Sequence, residues 1–589
     1  MPNFLLDNDD LRFHLQHLPL KEIAELAEDG FRDAAQYDFA PRDAEEAVEN
    51  YGRVLELVGD IAGNRIAPLS TDIDREGSEW ADGTVTYAPG IRKSLDLLAQ
   101  ADMMGFTLPR RFGGLNMPST VYTMATEMVS RSDAALMNVF GLQGIAETIN
   151  AFASEDQKAR YLPRFSSGEV TGAMVLTEPD AGSDLQNVQL RATQDAQGQW
   201  QLRGVKRFIT NGCGEVLLVL ARSEPDEAGG MGLSLFLTDQ NPRIRIRRIE
   251  DKLGIHGSPT CEMQFNDCPA ELVGERRRGL VTYVMALMNG ARIGIAAQGL
   301  GIAEAAYREG RAYAFYRQQF GKRIEQMPPV ADLIVNMKTA IEAARALLYY
   351  TCVVVDHDLI LQKRLEENRY AERTGDAGQA EAARSADNKA QKQYKRLAAM
   401  LTPMSKYYCS ELAQMCANDA ISVMGGSGYM RDYKAEQLFR DARITTIYEG
   451  TSQLQVLAAI RGVTSGTAEK CYVDFESRPP AYEEERHLRD RLGEMRGLLQ
   501  SAVDAVKKGG ADYLDLSARK LVDTAIDILI GYLLLEQGQH ADRKKVLARR
   551  FITQALPRAK ARIEEVLAQE RSTLDSYDAL IGPLVEEQE

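Results

Sequence analysis

Tryptophan is nearly missing from this 589-residue chain, at two residues, and histidine is scarce at six. The histidines are dispersed and none has metal-ligand spacing, which argues against a histidine-built metal centre. The seven cysteines (Cys213, Cys261, Cys268, Cys352, Cys409, Cys416 and Cys471) contain no CxxC pair, so neither a zinc site nor a disulfide framework is signalled. They fit reduced thiols in a cytoplasmic protein. No GxGxxG follows a strand-like run, which excludes a Rossmann dinucleotide site. The N-terminus lacks a basic region leading into an apolar core, the pattern of an ordinary secretory signal. Long hydrophobic runs are also wanting: the most apolar late stretch, 526–535, is too short and too closely flanked by charge to span a bilayer. Positive charge is in deficit. Seventy Lys and Arg against 85 Asp and Glu give a net charge of −15, which argues against nucleic acid as a main partner.

What is present is ordinary for a soluble globular protein, 44% hydrophobic and 26% charged, and long enough for several domains. The texture along the chain predicts a mainly α protein with a central small β domain. Residues 1–40 read as an N-terminal arm with one short helix at 21–28. Residues 41–168 read as helical, with apolar residues at helical spacing in 45–61 and 91–104, and helices at 121–130 and 134–154, the latter broken near Gly141 and Gly144. Residues 169–275 break into short strand-like runs (171–177, 188–193, 200–203, 216–221, 233–238 and 244–248) separated by Gly and Asp turns. Helical texture returns over 276–465, with a polar insertion at 362–397 that reads as a solvated extension of a helix pair. A linker near 463–467 leads to an additional helical domain at 470–589, where Leu521, Val522, Ala525, Ile528, Leu529 and Tyr532 follow helical spacing. A basic run within 543–562 reads as a solvated helix face; peripheral membrane contact is the less favoured account.

One stretch stands out chemically: Tyr448-Glu449-Gly450-Thr451-Ser452-Gln453, between two helical runs. A glutamate followed by glycine sits on a short connection, and the glycine frees the backbone to project the carboxylate into a cavity. The hydroxyls and amide that follow open a new helix N-terminus, suited to polar or phosphate groups. Taken singly, this is a surface loop with an N-cap. Four further stretches accompany it in order: Met174-Val175-Leu176-Thr177-Glu178-Pro179-Asp180-Ala181-Gly182-Ser183-Asp184, Phe208-Ile209-Thr210-Asn211-Gly212, Arg317-Gln318-Gln319-Phe320-Gly321 and Gly425-Gly426-Ser427-Gly428-Tyr429.

In this order and at these separations the five motifs resemble the acyl-CoA dehydrogenase family of flavoproteins, over residues 45–465, and in particular its long members with a C-terminal helical extension. The resemblance implies the family fold plus an extra helical domain, FAD as cofactor and α,β-dehydrogenation of an acyl-CoA to a trans-2-enoyl-CoA in lipid metabolism. It implies electron-transfer flavoprotein as acceptor and a homo-oligomer, at least a dimer. Glu449 takes the position of the catalytic base, its carboxylate removing the Cα proton and its main-chain N–H donating to the thioester carbonyl. The family's second position for a base, beside Asn289 and Arg292, holds Gly290 and Ala291 here. Asn289, Arg292, Ser183 and Gly450 match substrate contacts. Met174, Leu176, Thr177, Ser183, Phe208 and Thr210 match the flavin-facing set. Arg317, Phe320, Ser422, Gly425, Gly426, Thr451 and Gln453 match the adenylate and pyrophosphate set, in part across a subunit boundary. Ser422 stands where relatives carry Gln, and Met174 replaces a usual aromatic or polar residue. Glu178 is expected to be structural. Two alternatives stay open on the same scaffold: an acyl-CoA oxidase using oxygen, and an alkylation-response, DNA-associated flavoprotein.

Overall fold

The computed structural model describes residues 2–374 and 381–584; the remainder of the polar insertion, 375–380, lies outside them. The N-terminal arm holds two helices rather than one. Asp9–His17 begins at Asn8, whose side chain accepts from Leu11 N, and Leu20–Ala27 follows. Leu11, Leu20 and Ile23 are fully buried, so the arm is part of the core. The first helix escapes a periodicity test because its buried face carries Asp10 and His14 beside Leu11. The next helices include Ala44–Asp60, Pro89–Gln100, Ser119–Ser132, Ala134–Gly141 and Gly144–Phe152, with the break at 142–143 where the glycines predicted it.

The β domain is a seven-stranded sheet. Its pairing path runs Gly172–Val175, Val216–Arg222, Arg191–Gln194, Trp200–Thr210, Thr260–Leu272, Leu233–Asp239; Ile244–Ile249 pairs with Thr260–Leu272. Val216–Arg222 also pairs with Leu233–Asp239, so the sheet closes on itself. Side chains alternate as the pleat requires. Leu217, Val219 and Phe236 fill the interior with Met263 and Phe265, while Leu218, Leu220 and Leu235 pack on Ile145, Leu162 and Phe165 of the helices. The longest strand, Thr260–Leu272, has no counterpart among the six predicted runs. Asp267 in the left-handed region (φ 52°), at a register shift, and Pro269 interrupt its alternation.

The main bundle consists of Met285–Tyr316, Pro328–Thr374, Glu381–Met424 and Ser452–Thr464. The stretch Gly279–Tyr316 is long and apolar enough by composition to cross a membrane; here it is the central helix of the bundle. Its Gly299 and Gly301 permit close approach: a Cβ on either would lie 2.6 Å from Cys409 O or 2.5 Å from Glu127 O. The polar insertion lengthens the two neighbouring helices, Pro328–Thr374 and Glu381–Met424. Thr467–Glu476, Glu483–Gly509, Ala511–Gly538 and Asp542–Leu567 form the added helical layer, burying all six residues that the spacing singled out.

Most of the basic run lies on a solvated face, Lys544 being buried, and its charges are paired. Arg543 and Lys544 pair with Glu342, Arg549 with Glu484, Arg550 with Asp332, Lys560 with Glu494, and Arg558 and Arg562 with Asp527. Complementary carboxylates on neighbouring helices, invisible to a local reading, absorb the charge. Lys544, itself buried, also reaches Asp10 in the N-terminal arm. Asp10 is held by Arg345 as well (2.6 Å), and the same guanidinium binds Glu127 (2.6 Å) and Glu304 (3.1 Å). The result is a buried ion cluster tying both chain ends to the bundle.

Candidate active site

Glu449 lies on the turn between the 3-10 segment Ile444–Thr446 and helix Ser452–Thr464. Its backbone is left-handed (φ 55°), as is that of Gly450 (φ 92°). A non-glycine residue there is held against about 1–2 kcal/mol of backbone preference by its surroundings, and the holders are visible. Gly450 O accepts from Lys406 Nζ (2.8 Å) and Gln455 Nε2 (3.1 Å), and Gln455 Nε2 also donates to Glu449 O (3.1 Å). A Cβ on Gly450 would meet Gln455 Nε2 at 2.4 Å, so a side chain there would displace the amide that holds the turn, in addition to straining φ. From the other side, Tyr448 donates its hydroxyl to Gln298 Oε1 and to Asn138 Oδ1 (3.0 Å), and Gln298 Nε2 donates to Asn138 Oδ1 (2.8 Å). Thr451 caps the following helix, accepting weakly from Leu454 N (3.4 Å).

Burial pushes the Glu449 carboxyl up to about 7, against the opposing pull of the Lys406 and Arg292 charges. Burial likewise pulls Lys406 down to about 7, with Glu449 acting against that and Arg292 with it. Arg292 is lowered by burial and supported by Glu449. It receives one partner, donating to Asn289 Oδ1 (3.1 Å), while its buried Nε has none. The Glu449 N–H makes no hydrogen bond among the described residues. A carboxylate poised near neutrality beside a free N–H suits removal of a proton next to a carbonyl and stabilisation of the resulting oxyanion.

A second group lies along one edge of the β domain. Thr177 O accepts from Arg207 N (3.0 Å), joining the Leu176–Thr177 turn to the strand that bears Phe208 and Thr210. Phe208 is left-handed (φ 59°) and 52% exposed, with the Arg207 guanidinium 4.6 Å from its ring centre. Buried Lys206 donates to Leu176 O (2.6 Å) and pairs with Glu178 (3.0 Å), which also accepts from Gln189 N and Leu190 N. Glu178 is thus committed to structure. The Thr177, Ser183 and Thr210 hydroxyls make no hydrogen bond among the described residues. An exposed aromatic beside free hydroxyls fits a flat ring with polar edges. Met174 is half-buried in the adjoining strand, and Ser183 is exposed.

The remaining positions form a third, exposed patch. Tyr313 OH meets Ser427 Oγ (3.0 Å), tying helix Met285–Tyr316, which leads into Arg317, to the turn that begins at Gly425. Phe320 is 93% exposed on the hairpin Gln318–Gln319/Lys322–Arg323. A Cβ on Gly425 or Gly426 would meet nothing within 4 Å, and Ser422 donates to its own helix at Asn418 O (3.1 Å). Gln453 is exposed, on the first turn of helix Ser452–Thr464. Among the described residues no hydrogen bond or ion pair joins this patch or the β edge to the Glu449 turn. Within one chain, Glu449, Gly450, Asn289 and Arg292 gather, with Thr451 and Gln453 opening the helix that follows; the other matched residues are not joined to this turn. Lys406, Gln455, Gln298 and Asn138 were not singled out by the sequence, and Tyr448 was quoted only as the start of the Glu449 stretch. A lone lysine in the apolar stretch 398–409 was the one available hint.

Family comparison accords with this architecture. Acyl-CoA dehydrogenase N-terminal, middle and C-terminal domain descriptions match residues 49–169, 173–268, and 278–362 with 354–464; a further acyl-CoA dehydrogenase C-terminal description matches 464–555. The chain belongs to the acyl-CoA dehydrogenase family. It is 32% identical over 443 residues to the 3-methylmercaptopropionyl-CoA dehydrogenase of Ruegeria pomeroyi, covering 70% of this chain and 69% of that one. It is 34% identical over 372 residues to an acyl-CoA dehydrogenase of Bacillus subtilis, covering 62% and 88%. In fold it is similar to an FAD-complexed acyl-CoA dehydrogenase from Bacillus anthracis, with a TM-score of 0.72 at 22% identity over 91% of this chain and 92% of that one.

Proposed function

We propose that the protein is an FAD-dependent acyl-CoA dehydrogenase in which Glu449 removes the Cα proton of a saturated acyl-CoA. The observation that carries this reading is a turn-borne carboxyl held near neutrality, its own N–H unengaged, with Lys406 and Gln455 fixing the peptide behind it. Bound FAD supplies the acceptor for the hydride that leaves Cβ. Leu176, Thr177, Phe208 and Thr210 would hold its ring, the threonine hydroxyls being free to meet polar edge atoms. Glu449 N–H orients the thioester carbonyl and stabilises the charge that grows on its oxygen as the proton departs. Arg292 and Lys406 keep the ionised base accessible where burial alone would neutralise it. The exposed Arg317–Phe320 corner and Gly425–Gly426 fit a second copy of the chain completing the adenylate end of the site. Electrons then pass to an electron-transfer flavoprotein.

The test is E449Q in the flavin-loaded protein, assayed by dye-coupled turnover on an acyl-CoA. The expected result is loss of about 10²–10⁴-fold in rate, the usual range for a positioned general base, with flavin uptake retained. Near wild-type turnover would overturn the assignment. Substrate-dependent peroxide formed as fast as dye is reduced would replace the electron-transfer partner with oxygen.

A further inference from the structure

The base turn is held from one bundle helix, and that helix is held in turn from the added helical layer. Helix Glu381–Met424 supplies two holds on the turn. Lys406 donates to Gly450 O (2.8 Å), and Glu411, further along the same helix, accepts the Ser452 hydroxyl at Oε1 (2.6 Å). Ser452 is buried and is the first residue of the helix that leaves the turn. A hydrogen bond to a carboxylate is about twice as strong as a neutral one. Lys406 therefore fixes the turn at its peptide, and Glu411 fixes it where the next helix begins.

Tyr407 and Glu411 are four residues apart and share one face of their helix. They meet Arg519 and Asp523, spaced alike on helix Ala511–Gly538 of the added layer. The contacts are reciprocal. Tyr407 donates its hydroxyl to Asp523 Oδ1 (2.8 Å), and Arg519 Nη2 pairs with Glu411 Oε2 (3.1 Å). The same guanidinium lies 5.3 Å from the centre of the Tyr407 ring. Arg562, on helix Asp542–Leu567, stands 3.7 Å behind Asp523. Glu411 thus gives one oxygen to the base turn and the other to the added layer.

The charges are linked along the same route. Burial draws Lys406 down to about 7; Glu411 joins Glu449 in resisting this, and Arg292 adds to it. Burial raises Glu449, and Lys406 and Arg292 act against it. Burial also pushes the adjacent Tyr448 hydroxyl up, so it faces Glu449 uncharged.

We propose that Glu411 is a positioning residue for the base, gripping Ser452 and supporting the Lys406 charge, and that the added helical layer keeps it in place through Arg519 and the Tyr407–Asp523 contact. This deepens the acyl-CoA reading above and rests on it. The added layer then bears on turnover through one carboxylate.

The test uses the flavin-loaded protein in dye-coupled turnover on an acyl-CoA, with circular dichroism and flavin content as checks on folding. E411Q keeps an oxygen for Ser452 and loses the charge. Its rise in kcat/KM should move to higher pH, because Lys406 gives up its proton sooner and no longer holds the Glu449 carboxyl down. K406M alone should shift the rise in the same direction, and E411Q added to K406M should shift it no further. S452A removes the tether and should lower kcat about tenfold, with KM little changed. R519M/Y407F cuts both contacts with the added layer and should lower kcat about three- to thirtyfold. R519K in place of R519M should recover most of that loss. An E411Q profile coinciding with the wild type, or an equal E411Q shift with and without Lys406, would overturn the proposal. So would an R519M/Y407F protein that is less stable but keeps the wild-type kcat. If E449Q abolishes turnover while these variants leave kcat and its pH dependence untouched, this inference falls alone. If E449Q turns over like the wild type, both readings fall.

Discussion

Arg345 and Lys406 are both fully buried cations on long bundle helices, and each lies among carboxylates. Around Arg345 the pairing is complete. Asp10, Glu127 and Glu304 hold the guanidinium, and Tyr349 donates to Glu127. Burial pushes the Asp10 and Glu304 carboxyls up, but Arg345 and Lys338, with Lys544 at Asp10 and Arg308 at Glu304, outweigh it and hold both well below the usual carboxylate range. Around Lys406 the pairing is partial. Its ammonium donates to a carbonyl, Glu449 lies within electrostatic reach without a direct ion pair, and both groups are drawn to about 7. The same ingredients make a closed structural tie in one place and, in the other, a pair held near neutrality of the kind proton transfer needs, and completeness of pairing decides which.

The comparison breaks most sharply by removing the cation that is fully paired. R345M leaves buried Glu127 without its cation and weakens the hold on Asp10 and Glu304, which keep Lys544 and Arg308; it should cost about 3–5 kcal/mol of stability, read in a denaturant titration, with activity falling only as folded protein is lost. E449Q is the mirror image. It should cost about 10²–10⁴-fold in turnover while thermal stability holds or rises, because a poorly paired buried charge has been removed. A drop in melting temperature like that of R345M would place Glu449 in the structural class. G450A inserts a Cβ against Gln455 at a left-handed position and should cost about 1–2 kcal/mol, disturbing the base turn and lowering kcat more than it raises KM.

The pH dependences separate the two regions more finely. Glu449 must be ionised to act, so kcat/KM should rise with pH through about 7. K406M removes a charge that holds the carboxyl down, so that rise should move to higher pH. Protein stability should change oppositely in the two windows. From the ordinary 4.5 to about 7, folded Glu449 keeps a proton that the unfolded chain has lost, so its contribution weakens as pH rises. From about 7 to 10.5 the unfolded chain holds a Lys406 proton that the folded one lacks, so that contribution strengthens with pH. The Arg345 cluster contributes fully above the usual carboxylate range and is lost only on acidification. Urea midpoints of the wild type, E449Q and R345M across pH would reveal the three behaviours.

The turn that carries Glu449 was legible because its signal is local: Glu-Gly between two helical runs demands a turn. Lys406 was not, since what makes it matter is a contact with Gly450, 44 residues away, that only helix packing creates. Thr260–Leu272 escaped because a bulge at Asp267 breaks the alternation on which strand recognition relies. The pairing of the basic run was hidden for the same reason as Lys406: its counter-charges sit on Pro328–Thr374, Glu483–Gly509 and Ala511–Gly538. Phe208 could be matched from its motif, but its left-handed backbone and exposure are properties of the folded edge. Composition and periodicity carried the helical and β layers; long-range pairing carried the rest.

The grip of Lys544 on Asp10 has a consequence for synthesis. Helix Asp9–His17 meets its final partner only after more than five hundred further residues have been synthesised. Until then Asp10 has Arg345 alone, and the apolar face of Leu11, Leu20 and Ile23 must wait beside a bundle still missing its outer layer. A nascent chain stalled before residue 544 carries an unlocked N-terminal end, a natural place for a chaperone to hold.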